Sequence, residues 1–246
     1  EAFSSPAFKK FENMTESLKG KFGYLAGDVN WSGVLNLALD LRGETLFMDI
    51  FDKPEDVQKY LEKIAATIAR FVNGIQKQTG TSSISVNRVL RHLEKPVYLH
   101  SECSHTMISV KDYEKFLLPV DIQWSNSLRP YGIHFCGPDP HRFADSYAKL
   151  PRLDFLDVGW GGDLKLLREK LPNTFLNIRL SPVEILEQSA NEIHNNICKL
   201  VEDSQNPYLT GVCCINMDAS IPDSKVSVIF STVEQLRKKY IKSYTP

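Results

Sequence analysis

Imidazoles and thiols gather in three short stretches of this 246-residue chain. His134-Phe-Cys136-Gly137 sets an imidazole and a thiol two positions apart, so on an extended strand both side chains point to one face. Cys213-Cys214 follows far downstream, and His100-Ser-Glu-Cys-Ser-His105 lies upstream. His134 and Cys136, joined by a thiolate from a later strand, would make a His-Cys-Cys set for zinc. Three protein ligands leave one tetrahedral position open, which is the catalytic rather than the structural form of such a site. A strand cysteine is more often a small buried hydrophobe, but a cysteine doublet at a second strand end needs its own reason. Neighbouring strand residues face opposite sides, so a regular strand presents only one of Cys213 and Cys214 to a shared centre.

These residues need elements to hold them. Short apolar runs at 22–27, 97–100, 132–136, 155–158, 175–180 and 208–215 read as strands, with 83–86 a weaker seventh. Segments of helical period lie between most of them. The clearest, 54–78, opens with Pro54, Glu55 and Asp56, as a helix start favours. Its residues Val57, Leu61, Ile64, Ile68, Phe71 and Ile75 keep the three-and-four spacing of one buried face. Residues 109–128, 164–171, 191–203 and 223–240 read as further helices. Strands alternating with helices predict a parallel sheet with helices outside, and one α/β domain over 1–246 of the (β/α)8 TIM-barrel type. A closed barrel needs eight strands, so with six strands and a weak seventh, either further strands lack a clear apolar run or the chain lacks part of the barrel's N-terminal portion. The open doubly wound alternative lacks its glycine fingerprint, since Gly159-Trp-Gly-Gly does not fit G-x-G-x-x-G.

Barrel chemistry sits at the C-terminal strand ends and the loops that follow. Glu102 is the candidate catalytic group there, as a general base or a fourth ligand, with His100 and His105 as weaker candidates. Asp157 and Trp160 are expected to line the pocket, and Arg179 to hold a substrate carboxylate through a bidentate contact. Asp28, Asn30 and Trp31 follow the first strand and are further substrate-binding candidates. His141 reads as a residue at a helix start, Cys198 as packing, and Cys103 as a neighbour of the site without an assigned role.

Composition narrows the classes. The chain carries 29 Lys and Arg against 30 Asp and Glu, for a net charge of −1, without the basic excess of a nucleic-acid binder. Hydrophobic residues at 42% argue against disorder. No run approaches the length of apolar sequence that spans a bilayer, and no secretory signal opens the chain, which begins at Glu1 without a methionine. Five cysteines, two of them adjacent, disfavour a disulfide framework and point to a reducing cytoplasm.

Gly132-Ile-His-Phe-Cys-Gly137, Leu153-Asp-Phe-Leu-Asp157 and the final Pro222-Asp-Ser-Lys-Val226 helix together resemble the uroporphyrinogen decarboxylase superfamily. Leu41-Arg-Gly-Glu44 through Phe51-Asp-Lys-Pro-Glu55 agrees with it, as does Met107-Ile-Ser-Val-Lys-Asp-Tyr113 with Phe116-Leu-Leu-Pro119. The likeness runs from about Phe22 onward. It implies the barrel fold and, in the zinc-dependent methyltransferase branch, metal ligands at His134, Cys136 and a later cysteine. Cys214 is preferred over Cys213 because the family's ligand sits at the extreme end of the last strand. The implied cofactors are zinc and a corrinoid carried on a partner protein, the other reactant being a small thiol or another methyl acceptor or donor. A homo-oligomer is compatible with the sequence and is not specified by it. The decarboxylase branch instead carries a histidine in the final strand region and an arginine-rich N-terminal signature, and both are absent here. Decarboxylation of a porphyrin-like or smaller carboxylate substrate is therefore the first alternative, and a non-catalytic binding barrel the second.

Overall fold

The computed structural model describes residues 2–23, 32–79, 97–128 and 130–241. Helix α1 (Pro6–Phe22) starts under the cap of Ser5, whose hydroxyl accepts from the Phe8 amide, and ends at Gly23 in the left-handed region, φ 76°. Helices α2 (Val34–Arg42) and α3 (Thr45–Asp52) lead into α4 (Pro54–Thr79), which buries Val57, Leu61, Ile64, Ile68 and Ile75 of the predicted stripe and leaves Phe71 half-buried against the core. Strand β1 (Tyr98–Ser101) follows, then α5 (Val110–Asp112), a π-helical turn at Tyr113–Leu117 and α6 (Leu118–Ser127). The rest alternates, with two helices between β4 and β5: β2 (Tyr131–His134), α7 (Ala144–Tyr147), β3 (Phe155–Val158), α8 (Leu164–Lys170), β4 (Phe175–Leu180), α9 (Pro182–Glu187), α10 (Ala190–Asp203), β5 (Thr210–Cys214) and α11 (Asp223–Ile241). Side-chain caps mark three of these starts: Asp163 on α8, Ser181 on α9, and a reciprocal Ser189–Glu192 box on α10.

The five strands pair in sequence order, β1-β2-β3-β4-β5, and every pair is parallel. Strand order never reverses, unlike that of a doubly wound sheet. The eight-stranded closure expected from the sequence is more than the described residues form. Of the strand expected at 22–27, Phe22 ends α1 and Gly23 caps it, while 24–27 lie outside the described residues, as does 83–86. No helix among the described residues is long and apolar enough to cross a membrane.

Register sorts the side chains into two faces. Ser101, His134, Asp157, Asn177 and Gly211 lie in one row across the sheet. Two residues earlier on the same face come Leu99, Phe155 and Phe175, an apolar floor with the two phenyl rings stacked. The opposite face carries Ile133, Leu156, Leu176 and Ile178 into the main core, with Leu35, Leu61, Phe116 and Leu167 from the helices. A second core packs Leu180 against Ile185, Ile193, Ile197 and Ile229 of α9, α10 and α11. Arg168 ties α8 to the ends of neighbouring elements, its guanidinium donating to the carbonyls of Ser204, Thr174 and Leu209 at 3.0, 2.8 and 3.0 Å.

The helix-facing side also holds a charged network. His100 is fully buried, with Nδ1 2.7 Å from Asp121 Oδ1 and Nε2 2.9 Å from Glu102 Oε1. Tyr113 and Tyr131 each donate to Asp121 at 2.6 Å, and Glu102 Oε1 accepts from the Leu35 amide at 2.8 Å, in the first turn of α2. Burial alone would lower the His100 pKa, but Asp121 and Glu102 outweigh it and raise it to about 9. A raised histidine contributes stability that is complete below its unfolded value near 6.5 and is lost as pH rises through about 9. Asp121→Asn should cost about 3 kcal/mol, the scale for breaking a buried pair. It should also flatten the alkaline decline in stability, as read by urea unfolding at a series of pH values across this window.

Candidate metal centre

His134 ends β2, Cys136 follows two residues on, and Cys103 opens a tight 3-10 turn, Cys103–Met107, after β1. Register explains why they meet. Ser101 pairs with His134, and Cys103 and Cys136 each lie two residues beyond that pair, so the two thiols leave adjacent strands side by side. Cys103 Sγ is 2.7 Å and His134 Nε2 2.9 Å from Cys136 Sγ, and the three ligand atoms all lie within 4.8 Å of one another. The backbone also crowds together here. A Cβ at Gly159 would sit 1.9 Å from Gly137 O, so only glycine lets the loop after β3 close on the loop after β2.

Asp157 orients the imidazole. Its Oδ2 meets His134 Nδ1, while its Oδ1 accepts from Asn177 Nδ2 at 3.0 Å. With Nδ1–H committed to a carboxylate, Nε2 is left for the sulfur side, the usual second-shell arrangement of a metal-ligating histidine. Burial would lower the His134 pKa, but the Asp157 hydrogen bond and Cys136 raise it to about 9. Cys136 is held down to about 4, first by the hydrogen bond from Cys103 and then, against burial, by His134 and Arg179. Cys103 is pushed up, chiefly through that same shared hydrogen bond and by burial. These contacts favour negative charge on Cys136 over Cys103. A soft sulfur pair with an oriented imidazole fits a borderline-soft divalent ion such as zinc.

Arg179 is buried, donates from Nη1 to Cys136 Sγ at 3.3 Å, and lies 5.4 Å from the centre of the Trp160 ring. Arg179 and Trp160 border a cavity of about 240 Å³ that also touches Gly159, Gly161, Gly162 and Ser181. Arg179 is thus brought to the sulfur cluster and Trp160 to Arg179, while the cavity itself lies against α8 and α10, lined by Leu164, Ile178, Leu180 and Leu200. Asp157 is brought to the cluster too, behind His134, where it is fully buried.

The structure places other candidates elsewhere. Cys214 does not join His134 and Cys136: it pairs in register with Leu180, its Sγ lies 3.7 Å from Leu180 O, and it packs on the second core. Cys213 pairs with Arg179 on the site face and accepts from Asn177 Nδ2 at 3.2 Å. Burial and Asp157 push its pKa up to about 12. Glu102 alternates to the helix-facing side, where it serves His100 and the first turn of α2. His105 is fully buried, 4.0 Å from Glu102 Oε2, and burial lowers its pKa. His141 Nδ1 accepts from the Asp163 amide at the start of α8. Asp28, Asn30 and Trp31 lie outside the described residues. Sequence reasoning left Cys103 without a role and did not single out Asn177. For Cys103 the available signal was its two-residue offset from the end of β1.

Asp157→Ala should weaken zinc binding by about 10–100-fold while the thiols remain, the effect expected of removing a ligand's orienting carboxylate. Competition with a chromophoric chelator measures it. Gly159→Ala should destabilise the protein by about 1–3 kcal/mol in urea unfolding, because the added methyl has no room against Gly137 O.

No family profile matches the sequence, and no curated protein is matched by it. Among solved structures, the chain is similar to a methyltransferase from Methanosarcina mazei, with a TM-score of 0.63 and 14% identity. The match covers 83% of this chain and 57% of that protein, so the chain spans little more than half its neighbour's length. At this identity the likeness is one of fold, a mixed α/β architecture around a parallel sheet.

Proposed function

We propose that this chain is a zinc-dependent methyltransferase of barrel type, moving a methyl group between a corrinoid on a partner protein and a small thiol. The observation that carries this reading is the sulfur–imidazole cluster at the strand ends: Cys136 as thiolate, His134 turned toward it by Asp157, and Cys103 within reach. The methyltransferase neighbour and the resemblance of Gly132–Gly137 and its companion segments support it. His134 and Cys136 would hold the ion. A third sulfur is available in Cys103, while Cys213 is the last-strand cysteine on the site face.

Zinc, when bound, supplies Lewis acidity that lowers the pKa of a coordinated thiol, so that a thiolate is present at neutral pH. The chain's own residues do the rest. Asp157 and Asn177 fix the His134 ring. Arg179 places a guanidinium beside the sulfur and offsets the negative charge of the thiolates. The cavity beside Arg179 and Trp160 is the size of a small molecule, and Arg179 offers a charge that would orient an acidic substrate there.

The test pairs metal content with turnover. Reduced protein should contain about one zinc per chain and should transfer methyl groups from methylcobalamin to at least one of a panel of small thiols. Cys136→Ser should abolish both while the circular dichroism spectrum is unchanged. Folded, reduced protein that binds no zinc and methylates no thiol would overturn the reading. A decarboxylase, by contrast, would tolerate Cys136→Ala.

A further inference from the structure

Cys103 and Cys136 stand apart from the other cysteines of the chain in facing each other sulfur to sulfur. Their Sγ atoms are 2.7 Å apart, both residues are free cysteines, and Cys103 is exposed at the first residue of a short turn. The disulfide bond length is about 2.05 Å, so closing the pair needs a shift of well under an ångström. The remaining thiols have other neighbours: Cys213 the Asn177 amide, Cys214 the Leu180 carbonyl, and Cys198 the His194 ring at 3.7 Å. Cys213 and Cys214 are adjacent on β5 and face opposite sides of the sheet.

We propose that Cys103 and Cys136 are a redox pair, which a small disulfide oxidant closes into an intramolecular disulfide when no metal holds them, so that oxidation and metal binding exclude each other. The exclusion rests on the reading of Cys136 and His134 as metal ligands. The chemistry is two thiol–disulfide exchanges. The Cys136 thiolate attacks one sulfur of the oxidant, the oxidant's S–S bond breaks, and one small thiolate leaves, giving a mixed disulfide on Cys136. Cys103 then gives up its proton to solvent and attacks Cys136 Sγ, displacing the second small thiolate. Two protein sulfurs are oxidised and one small disulfide is reduced to two small sulfur anions, one of which takes up the proton that Cys103 released, leaving one small thiol and one small thiolate. Closure removes both sulfur donors at once and leaves His134 as the one member of the cluster still able to ligate. Conversely, an ion shared by both sulfurs ties up the attacking thiolate and holds Cys103 away from attack.

The experiment uses the whole chain, stripped of metal, reduced, and treated with oxidised glutathione. Intact mass and non-reducing peptide mapping should show loss of two thiols, a Cys103–Cys136 crosslink and no retained glutathione. Zinc binding should vanish on closure and return with dithiothreitol. Loading zinc beforehand should slow closure by about tenfold or more. Cys103→Ser, a change at an exposed position, should trap a glutathione adduct on Cys136, whereas Cys213→Ser and Cys214→Ser should close the pair as the parent does. A glutathione adduct that persists on Cys136 in the parent, a crosslink that maps to Cys213, or closure at the same rate with zinc bound would each overturn the proposal. Reduced, zinc-loaded protein that closes its pair on stripping yet methylates nothing would sink the methyltransferase reading and leave the redox pair intact.

Discussion

In a parallel sheet, residues paired across strands share a face, and alternate residues take the other. Here that rule places Ser101, His134, Asp157 and Asn177 in one row, above a floor of Leu99, Phe155 and Phe175. One step further toward the C-terminal ends come Cys136, Arg179 and Cys213. Everything with metal-binding or anion-binding chemistry on this face is stacked over apolar side chains, which keep water from below and leave the strand ends as the way in. The glycines at 159 and 211 belong to the same constraint. Side chains there would strike Gly137 O in one case, and the Phe175 ring and Asn177 in the other.

Two buried imidazoles show how much depends on the second neighbour. His100 and His134 each have Nδ1 against an aspartate, and each has its pKa raised to about 9. On the helix-facing side, Nε2 of His100 meets the carboxylate of Glu102, which also binds an amide of α2, so the imidazolium is satisfied on both sides and holds β1 to that helix. On the site side, Nε2 of His134 meets a sulfur. A carboxylate partner turns a histidine into a structural cation, while a thiolate partner gives it something it can share with a metal ion. The same residue type does different work because alternation sends the two rings to opposite faces.

The sheet explains the likeness to a larger methyltransferase without requiring the same extent of chain. Five parallel strands in unreversed order, each followed by helical structure, form a unit in which the C-terminal ends of all the strands share one edge. The candidate centre draws on β2, β3 and β4 and the turn after β1, all within that unit. Arg179 and Trp160 come from neighbouring strand ends, and their contact places a charge and an aromatic ring at one rim of the same site.

The alternation of strands and helices is written in the order of apolar and polar residues along the chain. Apolar runs at 155–158 and 175–180 are strands with those bounds, and the stripe from Val57 to Ile75 is buried apart from the half-buried Phe71. Periodicity is local, so the chain states it directly. His134 and Cys136 were legible as a pair for the same reason, being two apart at one strand end. Which residues of other strands join them was not legible, because that depends on register. Whether Cys213 or Cys214 faces inward is decided by the pairing of Arg179 with Cys213, and Cys103 reaches Cys136 only because Ser101 pairs with His134. Glu102 was read at a strand end beside the site, yet the one-residue step from Ser101 turns it to the other side of the sheet. A one-residue change of phase inverts which face a side chain serves, and that phase is fixed between strands, in tertiary structure, by hydrogen bonds that no single segment contains.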